Sequence, residues 1–243
     1  MKAIILAAGR GSRMGTRTAD GPKCLTVLAE RPLLNWQCEA LLGAGVEQVG
    51  VVRGYRADRI AVPGAEYFEN PRWEQTNMVQ SLRAAAPWLT STACIVSYGD
   101  IVYSADAVRR LMRSPGDIAI TYDPNWLALW SARFENPLSD AETFQTDVDG
   151  RLVEIGSKAA HVDQVRGQYM GLLKFTPKGW AAVESYLASL LPEAVDRLDM
   201  TGLLSRLLAI GVRIDTVAIT DRWFEVDTEH DLEVYEAMLG QGK

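Results

Sequence analysis

Ala3-Ile4-Ile5-Leu6-Ala7-Ala8-Gly9-Arg10-Gly11-Ser12-Arg13-Met14-Gly15 is the stretch on which the architecture turns. Its first six residues form a short unbroken apolar run, the pattern of a strand covered on both faces, as in parallel sheets flanked by helices. Glycines and arginines then stop the run far short of the ~20 apolar residues that a membrane span requires, and no secretory leader is read there. Glycine lets the backbone turn sharply and approach a ligand closely.

Downstream, strand and helix patterns alternate. Pro32 opens a helical pattern with Leu33, Leu34, Trp36, Leu41 and Leu42 apolar, closed by Gly43 and Gly45. Val46–Arg53 reads as a second strand, and Thr76 as the cap of a helix turning Met78, Val79 and Leu82 inward. Ala93–Tyr98 is a third buried strand ending at Gly99-Asp100, followed by a helix over Ser104–Arg113 and a strand over Asp117–Tyr122. This order predicts an α/β fold: a Rossmann-like, mostly parallel sheet with helices on both faces. Such sheets bind ligands beyond the carboxyl ends of their strands, here the loops after Ala8, Tyr98 and Tyr122.

The second half is less regular. Pro124–Thr146, with Trp126, Trp130, Arg133 and Asn136-Pro137, reads as a long loop or inserted subdomain. Strands are expected at Leu152–Ile155 and Tyr169–Phe175, and a helix over Thr176–Leu191. A second helix spans about Thr201–Leu208, before strands at Val212–Ile219 and Trp223–Val226. The last helix starts at Thr228, with Asp231 in a capping-box position. No repeat or Pro/Ser-rich linker intervenes. The expectation is a single domain over 1–243, with a nucleotide-binding half (1–120) and an acceptor-binding half (121–243).

With 48% apolar and 23% charged residues in 243, the chain can bury a sizeable core and is not disordered. Twenty-five Lys+Arg against 31 Asp+Glu give a net charge of −6, which argues against nucleic acid or anionic membranes as partners. Three cysteines without a CxxC pair and two distant histidines support neither a zinc site nor a disulfide framework. A cytoplasmic protein is expected, with room for a homodimer.

The glycine loop is neither of two familiar phosphate loops. It lacks GxxxxGK[ST], and the dinucleotide fingerprint fails at Met14 while the second strand ends on Arg53 rather than a ribose-holding acid, which disfavours a dehydrogenase. Yet Arg10, Arg13, Arg17 and Lys23 put four cations into fourteen residues of an acidic protein. A solvated basic loop is the plain alternative; a polyphosphate site explains the glycines as well. Asp100 and Asp227 each end an apolar strand, and Mg²⁺ needs only one or two carboxylates besides substrate phosphates.

At this point KAIILAAGRGSRMG (2–15) with PKCL (22–25), SYGDIVY (97–103) and WFEVDTEHDL (223–232) together resemble the nucleotidyltransferases that join an NTP to a small phosphorylated molecule and release pyrophosphate. The resemblance runs over nearly the whole chain and is nearest to the phosphocholine cytidylyltransferase-like branch. DPNWLALWSARFENPLSDAETF (123–144), EIGSKA (154–159) and QYMGLLKF (168–175) are similar to cytidylyltransferases of bacterial capsule and phosphonate pathways. The resemblance implies backbone contacts to the base from Ala7 and Ala8, and triphosphate contacts from Gly9, Gly11 and Arg13. It further implies phosphate-charge neutralisation by Lys23, a base- or ribose-side role for Asn77, and Mg²⁺ held by Asp100 and Asp227. Lys23, Arg13, Asp100 and Asp227 then form the catalytic set. Sugar-nucleotide relatives often carry Asn at the second metal position; Asp227 is the choline-type variant and favours CTP.

The activity so implied is transfer of CMP from CTP to phosphocholine, an aminoethylphosphonate-like molecule or a phospho-amino acid. The alternatives are a sugar-1-phosphate or molybdopterin nucleotidyltransferase using UTP, dTTP or GTP, or a regulator on a degenerate transferase fold; degeneration would have removed Lys23 or a metal aspartate. The acceptor side supplies Trp130, Arg133 and Lys158 as candidates. Trp126, Trp130 and Tyr122 could cage a trimethylammonium beside Glu135, Asp140 or Glu142, or simply pack. Arg133, Lys158 and Arg166 suggest an anionic headgroup instead.

Overall fold

The structure is a computed structural model that describes residues 1–11, 14 and 21–240. In chain order its strands are β1 (Lys2–Ala7), β2 (Val27–Leu28), β3 (Arg31–Pro32), β4 (Gln48–Arg53), β5 (Glu66–Glu69), β6 (Cys94–Tyr98), β7 (Ile101–Val102), β8 (Ile118–Asp123), β9 (Glu142–Thr146), β10 (Leu152–Lys158), β11 (Gln168–Phe175), β12 (Asp215–Ala218) and β13 (Phe224–Glu225). Its helices are α1 (Leu33–Gly43), α2 (Met78–Ala84), α3 (Ala86–Leu89), α4 (Ala105–Arg113), α5 (Trp126–Arg133), α6 (Pro177–Leu187), α7 (Pro192–Asp196), α8 (Met200–Ala209) and α9 (Glu229–Gly240). Among the described residues no helix is long and apolar enough to cross a membrane.

Seven strands form one sheet in the order β12-β8-β11-β6-β1-β4-β5, drawn from both halves of the chain. β1 sits inside it, parallel to β4 and β6, and β4–β5 and β8–β12 are parallel too. Only β11 runs against its neighbours β6 and β8. The excursion through α5, β9 and β10 returns where it left, with Gln168 paired to Asp123 at the end of β8, so the incoming strand must run back antiparallel.

Alternation along the strands builds a core on each face. Ile4, Val52, Val96 and Leu173 point to one side, under α2, α3, α6 and α8; Ile5, Val51, Ile95 and Leu172 point to the other, under α1, α4 and α5. Burial of each such side chain is worth about 1.5–3 kcal/mol. A third cluster joins Leu28 and Leu33 to Val102, Phe224, Leu232 and Tyr235, and so packs α9 against the β7–β13 ribbon.

Three expectations change. Of the two readings for Pro124–Thr146, a long loop or an inserted subdomain, the loop fails: the stretch holds α5, whose buried Trp126, Trp130 and Arg133 follow helical spacing, and β9. The α2 cap is Asn77, whose side chain accepts from Met78 N at 2.7 Å, with Thr76 hydrogen-bonded to Asn70 and Arg72 instead. Thr176–Leu191 stops at Leu187, and Pro192 starts α7.

Candidate active site

A cleft of about 310 Å³ opens at the carboxyl ends of β1 and β6. Ala7, Ala8, Gly9, Gly11, Lys23 and Asn77 all line it, with Trp73, Tyr98 and Asp100. Arg13 and Arg17 lie outside the described residues. Two glycines are dictated by close approach. A Cβ on Gly99 would come within 2.6 Å of the Leu6 carbonyl, so only glycine lets the turn after β6 lie against β1. Gly11 has φ +72°, and a Cβ there would sit 2.7–2.9 Å from the Lys23 side chain. The lysine stem is therefore laid along the glycine loop.

Lys23 stands in a short 3₁₀ turn and is buried. Its Nζ lies 2.7 Å from both Asp100 Oδ2 and Asp227 Oδ1. Burial works to lower its pKa, but the Asp100 and Asp227 charges and hydrogen bonds outweigh this and raise it. Residues so distant in sequence meet because β7 pairs with β13, Ile101 opposite Glu225, and Val226 N donates to the Asp100 carbonyl at 2.9 Å.

The donor set suits Mg²⁺. Asp100 Oδ1 is buried without a hydrogen-bond partner, beside a second carboxylate oriented to the same nitrogen. Around it Lys23 pairs with Asp100 and Asp227, and Arg133 with Glu225, Asp227 and Asp231. Glu225 responds to this crowding: burial, then the Asp227 charge, push its carboxyl up to about 8, against the pull of Arg133. Among the described residues no group of three or more His, Cys, Asp or Glu forms a metal cage; two carboxylates and substrate oxygens are the pattern that Mg²⁺ accepts.

The acceptor candidates fall elsewhere. Trp130 has no exposed surface and packs against Trp126, Phe134 and Trp223, so it has no face to offer a ligand. Arg133 is wholly buried among the carboxylates of Glu225, Asp227 and Asp231. The cation within the tryptophan cluster is the protein's own: its guanidinium lies 4.7 Å from the Trp130 ring centre and 4.9 Å from that of Phe134. Lys158 and Arg166 are exposed and absent from the cleft lining. Tyr122 stacks on Phe144. Asn77 lines the cleft, but its amide is engaged with Met78 N and the Arg197 carbonyl.

Sequence reasoning missed the group of tyrosines and acids behind Tyr98, which itself lines the cleft. Tyr98 packs edge-on against Tyr169, and both phenols are pushed well above 10 by burial. Tyr169 feels the charges of Glu142 and Glu225, and Glu142 is itself raised by burial and then by Asp199. Nothing in the spacing of these residues announces that they meet. For Asp231 a signal existed: the Thr228–Asp231 capping box forms, Thr228 N donating to the carboxylate at 2.8 Å and Asp231 N to Thr228 Oγ1 at 3.3 Å.

Residues 3–153 match the MobA-like NTP transferase domain family. The chain is 35% identical over 250 residues to the CTP:phosphoglutamine cytidylyltransferase of Campylobacter jejuni, covering 96% of this chain and 98% of that protein. It is 30% identical over 253 residues to the CMP-5'-(3-aminopropyl)phosphonate synthase of Streptomyces rubellomurinus, over 95% of this chain and 37% of that longer protein. The inositol-1-phosphate CTP transferase of T. maritima shares the fold, with a TM-score of 0.74 at 20% identity over 99% of this chain and 96% of that one. The glycine loop, the sheet order and these likenesses agree: the chain belongs to the MobA-like NTP transferase domain family, alongside relatives that are cytidylyltransferases.

Proposed function

We propose that this protein is a cytidylyltransferase that joins CMP from CTP to a small phosphorylated or phosphonate acceptor and releases pyrophosphate. The observation that carries the reading is the meeting of Lys23, Asp100 and Asp227 at the end of the cleft walled by the glycine loop. The likeness to a CTP:phosphoglutamine cytidylyltransferase over 96% of the chain supports it.

In this reading an acceptor oxygen attacks the α-phosphorus of CTP. The new P–O bond forms as the bond to the pyrophosphate oxygen breaks. A phosphate or phosphonate acceptor is already anionic near neutral pH, so no side chain has to remove a proton; both histidines are exposed and neither lines the cleft. The protein's work is positioning and charge. Backbone groups of Ala7 and Ala8 would face the base, those of Gly9 and Gly11 the triphosphate, and Lys23 would turn its charge to the phosphates. Asp100 and Asp227 would hold Mg²⁺, which when bound supplies charge neutralisation at the phosphoryl oxygens.

On the acceptor side, an amine-bearing headgroup is favoured. Glu142 and Glu225 flank the Tyr98–Tyr169 pair with raised carboxyl pKa values that a nearby ammonium would relieve, whereas Arg133 is committed to internal carboxylates. The test is pyrophosphate release with CTP, UTP, dTTP or GTP against aminoethylphosphonate, phosphocholine, phosphoglutamine and glucose-1-phosphate in Mg²⁺. Turnover is expected with CTP and the amine-bearing acceptors. Turnover confined to glucose-1-phosphate, or to GTP, would overturn the proposal.

A further inference from the structure

The Asp227 carboxylate is gripped from behind. Arg133, the last residue of α5, donates from Nε to Asp231 Oδ1 at 2.8 Å and from Nη2 to Asp231 Oδ2 at 3.4 Å. The same Nη2 reaches Asp227 Oδ2 at 3.3 Å, and Nη1 reaches Glu225 Oε2 at 3.2 Å. Asp231 Oδ2 in turn accepts the backbone N–H groups of Asp227 and Thr228, both at 2.8 Å. Asp227 is thus fixed twice, by its N–H to Asp231 and by Oδ2 to Arg133, while Oδ1 is directed at Lys23 and the Asp100 side of the cleft. The rings of Trp130 and Phe134 hold the guanidinium in place.

A guanidinium buried at 0% exposure is costly unless its charge and hydrogen bonds are met. Holding a purely structural ion pair would need one carboxylate. This arginine instead spreads over three, and one of them, Asp227, shares the Lys23 ammonium with the cleft-lining Asp100. Lysine could not do the same, since an ammonium is a compact point charge without the planar fork. Outer partners of this kind set the direction and basicity of the carboxylates they touch.

We propose that Arg133 and Asp231 are positioning residues that aim the Asp227 carboxylate at the divalent cation. The inference rests on the reading of Asp100 and Asp227 as the Mg²⁺ residues. It reassigns Arg133 from the acceptor to the cation side of the site.

The test measures Mn²⁺ binding in the presence of CTP, by the electron paramagnetic resonance of free Mn²⁺, for wild type, Arg133→Lys, Asp231→Asn and Asp100→Asn. Loss of an outer partner typically weakens metal affinity ~10–100-fold, and a loss in that range is expected for both Arg133→Lys and Asp231→Asn. In the rate assay the Mg²⁺ concentration for half-maximal pyrophosphate release should rise by a larger factor than kcat falls. A merely structural arginine would lower the melting temperature and leave that Mg²⁺ requirement unmoved. Should Arg133→Lys fail to fold, Asp231→Asn carries the test, because it keeps side-chain size and an oxygen acceptor for the two N–H groups. Wild-type Mn²⁺ affinity in the folded variants, with Asp100→Asn losing it, overturns the positioning role alone. Unchanged affinity in Asp100→Asn as well overturns the cation site itself.

Discussion

One ammonium group occupies the ground between two carboxylates. With Nζ of Lys23 at 2.7 Å from Asp100 and from Asp227, the lysine holds the place that a divalent cation would take in the proposed reaction. Replacing it should therefore have two opposite effects. Lys23→Met is expected to lower pyrophosphate release ~10²–10³-fold, the usual cost of one preorganised charge contact. The same variant should bind Mn²⁺ more tightly than wild type when no nucleotide is present, because two carboxylates lose their resident counter-ion; equal or weaker binding in a titration would refute the competition. Asp100→Ala and Asp227→Ala should each abolish pyrophosphate release while the circular dichroism spectrum stays that of the folded chain. These three residues were legible in the sequence, since each lies where an apolar strand or a glycine-rich loop delivers a charge to one end of a parallel sheet. Arg133 was legible as a charge and illegible as a role. An arginine three residues after a tryptophan looks like half of a ligand pocket until Glu225, Asp227 and Asp231 arrive from the far end of the chain.

At the scale of elements, α9 does more than cover β13. Its capping box places Asp231, and Asp231 holds both the Asp227 N–H and the Arg133 fork, so a helix start becomes part of the site. Thr228→Ala removes the hydroxyl that accepts from Asp231 N. Loss of such a cap costs about 1 kcal/mol, which in a chain of this length lowers the melting temperature by roughly 2–4 °C. Differential scanning calorimetry reads that shift, and a variant melting with the wild type would remove the capping argument. The box was visible in the sequence as Thr228 and Asp231 at the right spacing. The helix α5 was not, because its cap residue Asn125 makes no side-chain cap hydrogen bond and its inward positions mix two tryptophans with an arginine. Nor could periodicity show that β11 runs antiparallel: a buried strand reads the same in either direction, and only the return of the chain to the end of β8 sets its sense.

Across the whole molecule, the acids divide into two populations with opposite effects on stability. Asp196, held down by hydrogen bonds from Arg72 and Gln80, and Asp117, held down by Lys178 and Thr176, have lowered pKa values. Their contributions are complete above the ordinary carboxylate range and are lost only as acid protonates the folded form. Lys23 is raised, so its contribution is complete through neutrality and is lost only in strong base. Neither kind changes between pH 6 and pH 8. Glu225, pushed up to about 8 by burial and the Asp227 charge, does change there. In that window the folded chain holds a proton that the unfolded chain has released, so stability falls as pH rises. The linkage over that window is about 2 kcal/mol, so the nucleotide-free protein should melt roughly 4–8 °C higher at pH 6 than at pH 8, at the 2–4 °C per kcal/mol expected for this size. Glu225→Gln removes the proton-binding group while keeping an amide for the Arg133 side, and should flatten the slope between the two pH values. A wild-type melting temperature that is level or rises from pH 6 to pH 8, or a slope that survives Glu225→Gln, would mean that Glu225 does not hold a proton in the folded chain through this window.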